Sequence, residues 1–408
     1  MIRPPNKIQP NKIQAAHSAA LANVIRECIE RNHGWISFEQ FMALALYAPG
    51  LGYYSAGAKK IGAHGDFITA PLLGKQFAGC LARQCNEIIE NLAANQPATI
   101  AEFGAGTGRF ALDFLIHLDT LRRLPHQYLI IETSADLKQR QKQLIETSGR
   151  AYLDIIKWCD AIPETGISGV IIANELLDAL PVMRFQIDDS GQAKELGVSM
   201  IDQRFDWQVS THSIPDALQQ RLSQYSLPPG YQSEIGAQAE GWVRAIGEKL
   251  ISGVMILIDY GFPQAEFYHW DRAQGTLMCH YQHIAHDNPF YFPGIQDMTA
   301  HVDFSAIAAA GQDAGLQVMG YCGQGGFLLS LGLLENFAAM QNNAMQNNAT
   351  ANPQSLARSH TLAHTLAQEI KTLTLPHQMG ELFKVITLAK NYSVPLSGFA
   401  MHNHQGRL

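Results

Sequence analysis

The chain has 408 residues, with 29 Lys+Arg against 36 Asp+Glu and a formal net charge of −7. Apolar residues make up 47% and charged residues 16%, the balance of a folded core and not of a disordered chain. The acidic balance speaks against a general nucleic-acid binder, and no apolar run reaches the ~18 residues of a transmembrane helix. In chain order, the first 26 residues carry Arg3, Lys7, Lys12 and Arg26 and no acid before Glu27. Pro4, Pro5 and Pro10 oppose the amphipathic helix of a presequence, so a short tail is expected. Apolar spacing predicts a helix from His17 to about Asn32, and Ser37-Phe38-Glu39-Gln40 reads as a second helix start. Tyr47 to Gly74 is rich in Gly, Tyr and Pro and reads as a long functional loop. Leu72 to Leu92 reads as a helix.

A strand–helix alternation begins near residue 98. Thr99–Phe103, Tyr128–Ile131, Gly169–Ala173 and Val254–Ile258 are short apolar strands, with helices at Phe110–Leu118 and Ala135 to about Glu146. That order predicts an α/β fold, a parallel sheet with helices on both faces. About 65 residues, roughly 185–250, interrupt it, too many for a simple crossover. They read as antiparallel strands around Asp188–Gly191 followed by helices near Ala217–Tyr225 and Ala237–Lys249. Leu316–Tyr321 and Phe383–Leu388 are further strand candidates. Between them Met340–Ala349 is a tandem pentapeptide without assigned chemistry. The expected divisions are 1–96, an N-terminal helical and glycine-rich loop region; 97–184 and 251–390, two parts of the sheet domain; 185–250, an inserted cap; and 391–408, a loose tail.

The strongest motif is Glu102-Phe103-Gly104-Ala105-Gly106-Thr107-Gly108, which follows a strand and opens a helix. Gly104, Gly106 and Gly108 let the backbone turn sharply and approach a ligand. Arg109 stands next, so the third glycine of the dinucleotide G-x-G-x-x-G is absent. That departure favours S-adenosyl-L-methionine over NAD, because this donor has no diphosphate and carries a sulfonium cation that Glu102 suits. Glu132 ends the second strand, where an acid can accept both ribose hydroxyls or simply precede a helix. Asp160, in Trp158-Cys159-Asp160-Ala161-Ile162-Pro163, follows a further strand candidate between Tyr128–Ile131 and Gly169–Ala173, where an adenine amino group could be met; an ordinary loop acid reads the same way.

The next strand runs into Asn174-Glu175-Leu176-Leu177-Asp178-Ala179-Leu180-Pro181. If helical, this segment sets Glu175 and Asp178 on one face. Paired carboxylates beside a methyl donor suit a cationic or amide nitrogen acceptor; helix-end charges are the plainer reading. Asn-Pro-Pro-Tyr, the usual signature of amino-group DNA and glutamine methyltransferases, is missing. His280, His283 and His286 invite a zinc reading, but a helical row spans about 9 Å of rise, too spread for one ion, so no metal is expected. The six cysteines (Cys28, Cys80, Cys85, Cys159, Cys279, Cys322) form no C-x-x-C pair.

Taken together, these residues resemble the MidA family of S-adenosyl-L-methionine-dependent methyltransferases, whose mitochondrial members are complex I assembly factors acting as protein arginine methyltransferases. The resemblance runs from about Ile25 to Lys390. It rests on Ile36–Met42, Leu46–Tyr54, Gly65–Ala70, the Glu102 glycine turn, Asn174–Pro181, Ile258–Gly261, Gly275–Leu277, Asp297–Phe304 and Met379–Lys384. Ala105 and Thr133 depart from the common Pro and Val without removing a polar contact. The resemblance implies a class I, Rossmann-like methyltransferase sheet of seven strands with the last antiparallel. To this the chain adds the N-terminal region and an insertion between strands 4 and 5.

The expected activity is methyl transfer to a protein side chain, an arginine, with Asn174 among the donor-binding residues and Glu175 and Asp178 catalytic. The Gly65–Ala70 loop, with Asp66 and Thr69, and the Asp297–Asp303 segment, with His301, are expected to close over the substrates. The expected partner is a protein substrate, without nucleic acid or membrane insertion. The expected location is the cytoplasm, or the mitochondrial matrix in a eukaryote. Two rival readings are a non-catalytic assembly chaperone that binds S-adenosyl-L-methionine and a nicotinamide oxidoreductase.

Overall fold

The computed structural model of the chain describes residues 9–56, 70–92, 97–338 and 353–408. The pentapeptide repeat and residues 57–69 of the glycine-rich loop, Asp66 and Thr69 included, lie outside the described residues. Two compact units form, each from pieces separated along the chain. One comprises Ile68–Leu176, Val243–Gly261 and Ala308–Leu408; the other comprises Met1–Phe67, Leu177–Trp242 and Phe262–Ile307.

The first unit is built on a large sheet in the order Gln317–Gly323, Phe383–Lys390, Leu250–Phe262, Ile167–Asn174, Thr99–Phe103, Gln127–Ile131, Ile156–Cys159. From Leu250–Phe262 to Ile156–Cys159 every pairing is parallel, while Phe383–Lys390 runs antiparallel to both neighbours. Every residue of Thr99–Phe103 is buried, as expected of a parallel strand covered on both faces. With a side-chain period of two, Ile100, Tyr128, Ile130, Val170 and Ile172 share a core with Phe77, Cys85, Phe110 and Phe114. Those four come from the helices Gln76–Glu90 and Arg109–Thr120. Burial of each large side chain contributes about 1.5–3 kcal/mol.

The residues after Tyr392, expected to be loose, pack on this unit. Gly398 N donates to Gln84 Oε1 at 2.8 Å, His404 N donates to Tyr321 O at 2.6 Å, and the Phe399 ring lies 5.2 Å from that of Phe327. Two sparse anchors, Leu396 and Phe399, tie down a segment whose polar composition suggests none.

In the second unit Asn11 and Ser37 begin the helices Lys12–Arg31 and Phe38–Tyr47, each with a capping box completed by Gln14 or Gln40. Its main sheet has the order Trp35–Ser37, Ala193–Ile201, Met183–Ile187, Gln232–Ile235, with Arg204–Ser213 also on Ala193–Ile201. The hairpin expected around Asp188–Gly191 and the helices Asp216–Ser223 and Ala237–Lys249 are present. The strands of 185–250 share their apolar clusters with other segments of this unit. Val198 packs with Ile36, Phe41 and Met298, and Phe185 and Ile187 pack with Phe267 and Tyr268, so their apolar faces require the N-terminal segment and Phe262–Ile307.

The histidine row is not helical. His280 and His286 sit on the paired strands Met278–Tyr281 and Ile284–His286, and His283 lies in the turn between them with φ 63°. Among the described residues no helix is long and apolar enough to cross a membrane.

Candidate functional site

Strand register builds the site. Across the parallel sheet Cys159 pairs with Ile131, Ile131 with Phe103, and Phe103 with Ala173. The next residues along those four chains are Asp160, Glu132, Gly104 and Asn174. Candidates that lie tens of residues apart in sequence therefore stand side by side on one edge. The chain runs outward from Thr99–Phe103 to Ile156–Cys159, then returns to the other side of Thr99–Phe103 as Ile167–Asn174. That reversal opens the crevice where open α/β sheets take ligands, between Gly104 and Asn174.

Gly104, Gly106 and Gly108 have φ of +67°, +51° and +79°, a region that β-carbons oppose. Gly108 caps the helix Arg109–Thr120 without a side-chain hydrogen bond, and Arg109 N donates to Thr107 Oγ1 at 3.4 Å. Glu102 lies one residue inside the strand, buried, with Oε2 accepting from the Tyr128 hydroxyl at 2.7 Å. Burial pushes its carboxyl up to about 7; the Tyr128 hydrogen bond opposes the rise and the Glu132 charge adds to it. It is a core acid beneath the turn and not the solvent-facing one that its place near the strand end suggests.

Glu132 is half-buried. Its Oε1 accepts from Ser134 N at 2.8 Å and its Oε2 from Gln141 Nε2 at 3.4 Å. Ser134 in turn caps the helix Ala135–Thr147. Asp160 pairs with Lys138 Nζ at 2.6 Å, but its side chain is 80% exposed, so the pair contributes little to stability.

The segment after Asn174 is not a helix, and Glu175 and Asp178 share no helical face. Glu175 has φ +51°, incompatible with one. Two hydrogen bonds hold it there: Glu175 N donates to Ile258 O at 2.9 Å, and Leu176 N donates to Asp259 Oδ2 at 3.2 Å. Asn174 Nδ2 donates to Glu175 Oε1 at 3.1 Å. Asn174 Oδ1 is buried without a hydrogen-bond partner among the described residues, an acceptor left for a ligand at the crevice.

Asp178 and His301 belong to the second unit. Asp178 is buried, and its carbonyl accepts from Ala300 N at 2.9 Å. Near it the ring of Tyr47 stacks on Tyr54, with centroids 5.5 Å apart. The Tyr47 hydroxyl donates to Ala179 O at 2.9 Å and that of Tyr54 to Asp297 Oδ1 at 2.8 Å. Burial first, then the Asp297 and Asp178 carboxylates, push both phenols up. His301 N donates to Thr276 Oγ1 at 3.0 Å, and its ring lies 5.3 Å from Phe262. Burial and the Arg272 guanidinium push its imidazole down to about 4, so it is neutral at physiological pH.

Sequence reasoning passed over Tyr128, Gln141 and Asp259. A signal existed for Gln141: Leu137, Leu144 and Ile145 flank it at helical spacing, which puts it on the apolar stripe.

A family model described as S-adenosyl-L-methionine-dependent methyltransferase matches residues 80–322. The chain is 36% identical to a protein from Burkholderia thailandensis crystallised with S-adenosyl-homocysteine, with a TM-score of 0.89 over 98% of this chain and all of that one. It is 25% identical to the mitochondrial protein arginine methyltransferase NDUFAF7 homolog of Drosophila melanogaster, over 94% of this chain and 88% of the relative. It is 27% identical to NDUFAF7 of Danio rerio, over 90% and 89%. The glycine turn and the unsatisfied Asn174 Oδ1 fit S-adenosyl-L-methionine, which offers amino and hydroxyl donors.

The Glu102 carboxyl generates a pH prediction. Its folded value of about 7 lies above the unfolded value of 4.5, so between the two the folded chain holds a proton that the unfolded chain has lost. The stability from this group is full below about 4.5, falls as pH rises to about 7, and is flat above. The swing is about 3 kcal/mol at most. Glu102→Gln keeps an acceptor for Tyr128 and removes the titration. In urea melts from pH 5 to 8, the variant should gain stability relative to wild type as pH rises, levelling off near 7. Parallel curves would sink this account of Glu102.

Proposed function

We propose a protein arginine as the methyl acceptor, starting from the premise that the chain belongs to the family of S-adenosyl-L-methionine-dependent methyltransferases. S-Adenosyl-L-methionine is the cofactor, and it supplies an electrophilic methyl group on a sulfonium. The observation that carries the acceptor is the likeness, over 94% and 90% of this chain, to relatives named protein arginine methyltransferases. The resemblance to the MidA family points to a respiratory complex I subunit as the acceptor protein. It also points to the cytoplasm as the location, or the matrix in a eukaryotic member.

On this reading Glu132 accepts from the donor's ribose hydroxyls. The turn from Gly104 to Gly108 admits the adenosine, and Asn174 Oδ1 accepts from the amino group of the methionine part. Catalysis is mostly proximity and orientation. Arginine stays protonated in proteins and its lone pairs are delocalised. Glu175 in the first unit and Asp178 in the second are each a candidate carboxylate for a guanidinium, able to localise its charge, with the proton leaving late to a carboxylate or water. The negative potential that Asp297 and Asp178 impose on Tyr47 and Tyr54 supports a cationic acceptor.

Two sets of variants test the roles. For the donor, Gly106→Val and Glu132→Ala should weaken S-adenosyl-L-methionine binding in calorimetric titration, the latter by about 1.5–3 kcal/mol. Unchanged affinity in a folded Gly106→Val removes the placement of the donor. For the acceptor, Glu175→Gln and Asp178→Asn should lower methyl transfer to an acceptor verified by mass spectrometry, roughly 10²-fold, with donor affinity within a few-fold. Normal turnover in both makes these acids structural, and loss of donor binding means the two substrates are exchanged.

A further inference from the structure

Gln141 is fully buried on a helix, Ala135–Thr147, whose other buried residue is Ile145. A buried primary amide is costly unless its donors and acceptor are met. Here they are met by three strand ends. Nε2 donates to Gly106 O at 3.0 Å and to Glu132 Oε2 at 3.4 Å, and Oε1 accepts from Trp158 Nε1 at 2.9 Å. Its aliphatic part closes the space above Gly108, where an added β-carbon would lie 3.0 Å from Gln141 Cγ and 3.2 Å from Cβ. One side chain thus ties the glycine turn after the first strand, the acid after the second and the indole of the third. The link to Glu132 joins this buried amide to the acid at the crevice.

We propose that Gln141 is a positioning residue for the donor: its amide locks the Glu132 carboxylate and the glycine turn into the arrangement that receives the adenosine. It acts through these groups and need not touch the donor. The inference rests on the reading that Glu132 accepts from the ribose. Three physical consequences follow. The two N–H groups carry the effect, and the Trp158 link serves to fix the plane of the amide. Loss of those donors leaves the Glu132 carboxylate held by Ser134 N alone, so its second oxygen and the glycine turn lose their fixed places and ground-state binding of the donor suffers. The transfer step at saturating donor is spared, because the acceptor side is untouched.

The test compares Gln141→Met, which keeps the shape and loses all three hydrogen bonds, with Gln141→Glu. The latter keeps an acceptor for Trp158, loses both donors and sets a like charge beside Glu132. Each is measured by S-adenosyl-L-methionine titration and by donor KM and kcat, with melting curves to confirm folding. Both variants should raise the dissociation constant and KM about tenfold or more, the size expected for a lost hydrogen bond to a charged group. The kcat should stay within a few-fold. Glu132→Ala and the double variant Glu132→Ala/Gln141→Met complete a cycle. Acting through Glu132, the Gln141 change should cost far less once Glu132 is gone. Fully additive losses, a fall in kcat with KM unchanged, or wild-type binding in either folded Gln141 variant overturns the inference alone. Wild-type affinity in Glu132→Ala overturns the placement of the ribose and with it the inference. If Gln141→Met does not fold, Gln141→Glu still decides between these outcomes.

Discussion

Parallel pairing aligns the carboxyl ends of neighbouring strands and leaves the groups beyond them for something other than the sheet to satisfy. The register here has Cys159, Ile131, Phe103 and Ala173 in one line, so the residue after each stands at the carboxyl edge of the sheet. Those residues are Asp160, Glu132, Gly104 and Asn174. Within the strands themselves nearly every position is apolar, because helices cover the faces. The antiparallel strand Phe383–Lys390 brings its amino end to the same edge, where Phe383 packs on Tyr260 with ring centroids 3.9 Å apart. The edge is thus closed by apolar rings at one flank and open to polar groups at the crevice.

Glu102 departs from that rule. An acid inside a buried strand costs stability unless it is neutralised or hydrogen-bonded, and here both occur in part: Tyr128 donates to it, and burial keeps its carboxyl protonated to about pH 7. The tyrosine is the reason that the strand can hold this residue at all. Glu132, one strand away, raises the same carboxyl by its charge. The core acid therefore feels the charge of the edge acid beneath the glycine turn.

The parts legible in the sequence are those set by local pattern. Short apolar runs such as Thr99–Phe103 and Val170-Ile171-Ile172, bounded by turn residues, read as buried strands, and glycines spaced by two after a strand read as a turn. The illegible parts depend on contacts far along the chain. The spacing of Glu175 and Asp178 is good helix spacing, yet Ile258 O and Asp259 capture the N–H groups of Glu175 and Leu176 and force a left-handed residue. The pairing of Ile36 with Val198 across the N-terminal strand is likewise outside any local pattern. Gln141 sits among Gln139 and Gln143, and only its place on the apolar stripe distinguishes it from two surface amides.

The chemistry near Asp178 also bears on which cation it suits. Tyr47 and Tyr54 keep their protons because burial and the nearby carboxylates push both phenols up. They donate hydrogen bonds to Ala179 O and Asp297, so the negative charge there belongs to Asp178 and Asp297. A lysine acceptor must lose its proton before its nitrogen can attack, and a negative field holds that proton on. A guanidinium does not face this conflict. It enters charged, and its charge persists until the new bond is nearly formed. Carboxylates that bind it in the ground state therefore go on stabilising it through the transition state. On the proposed reading, the same field that would slow methylation of an amine favours that of an arginine.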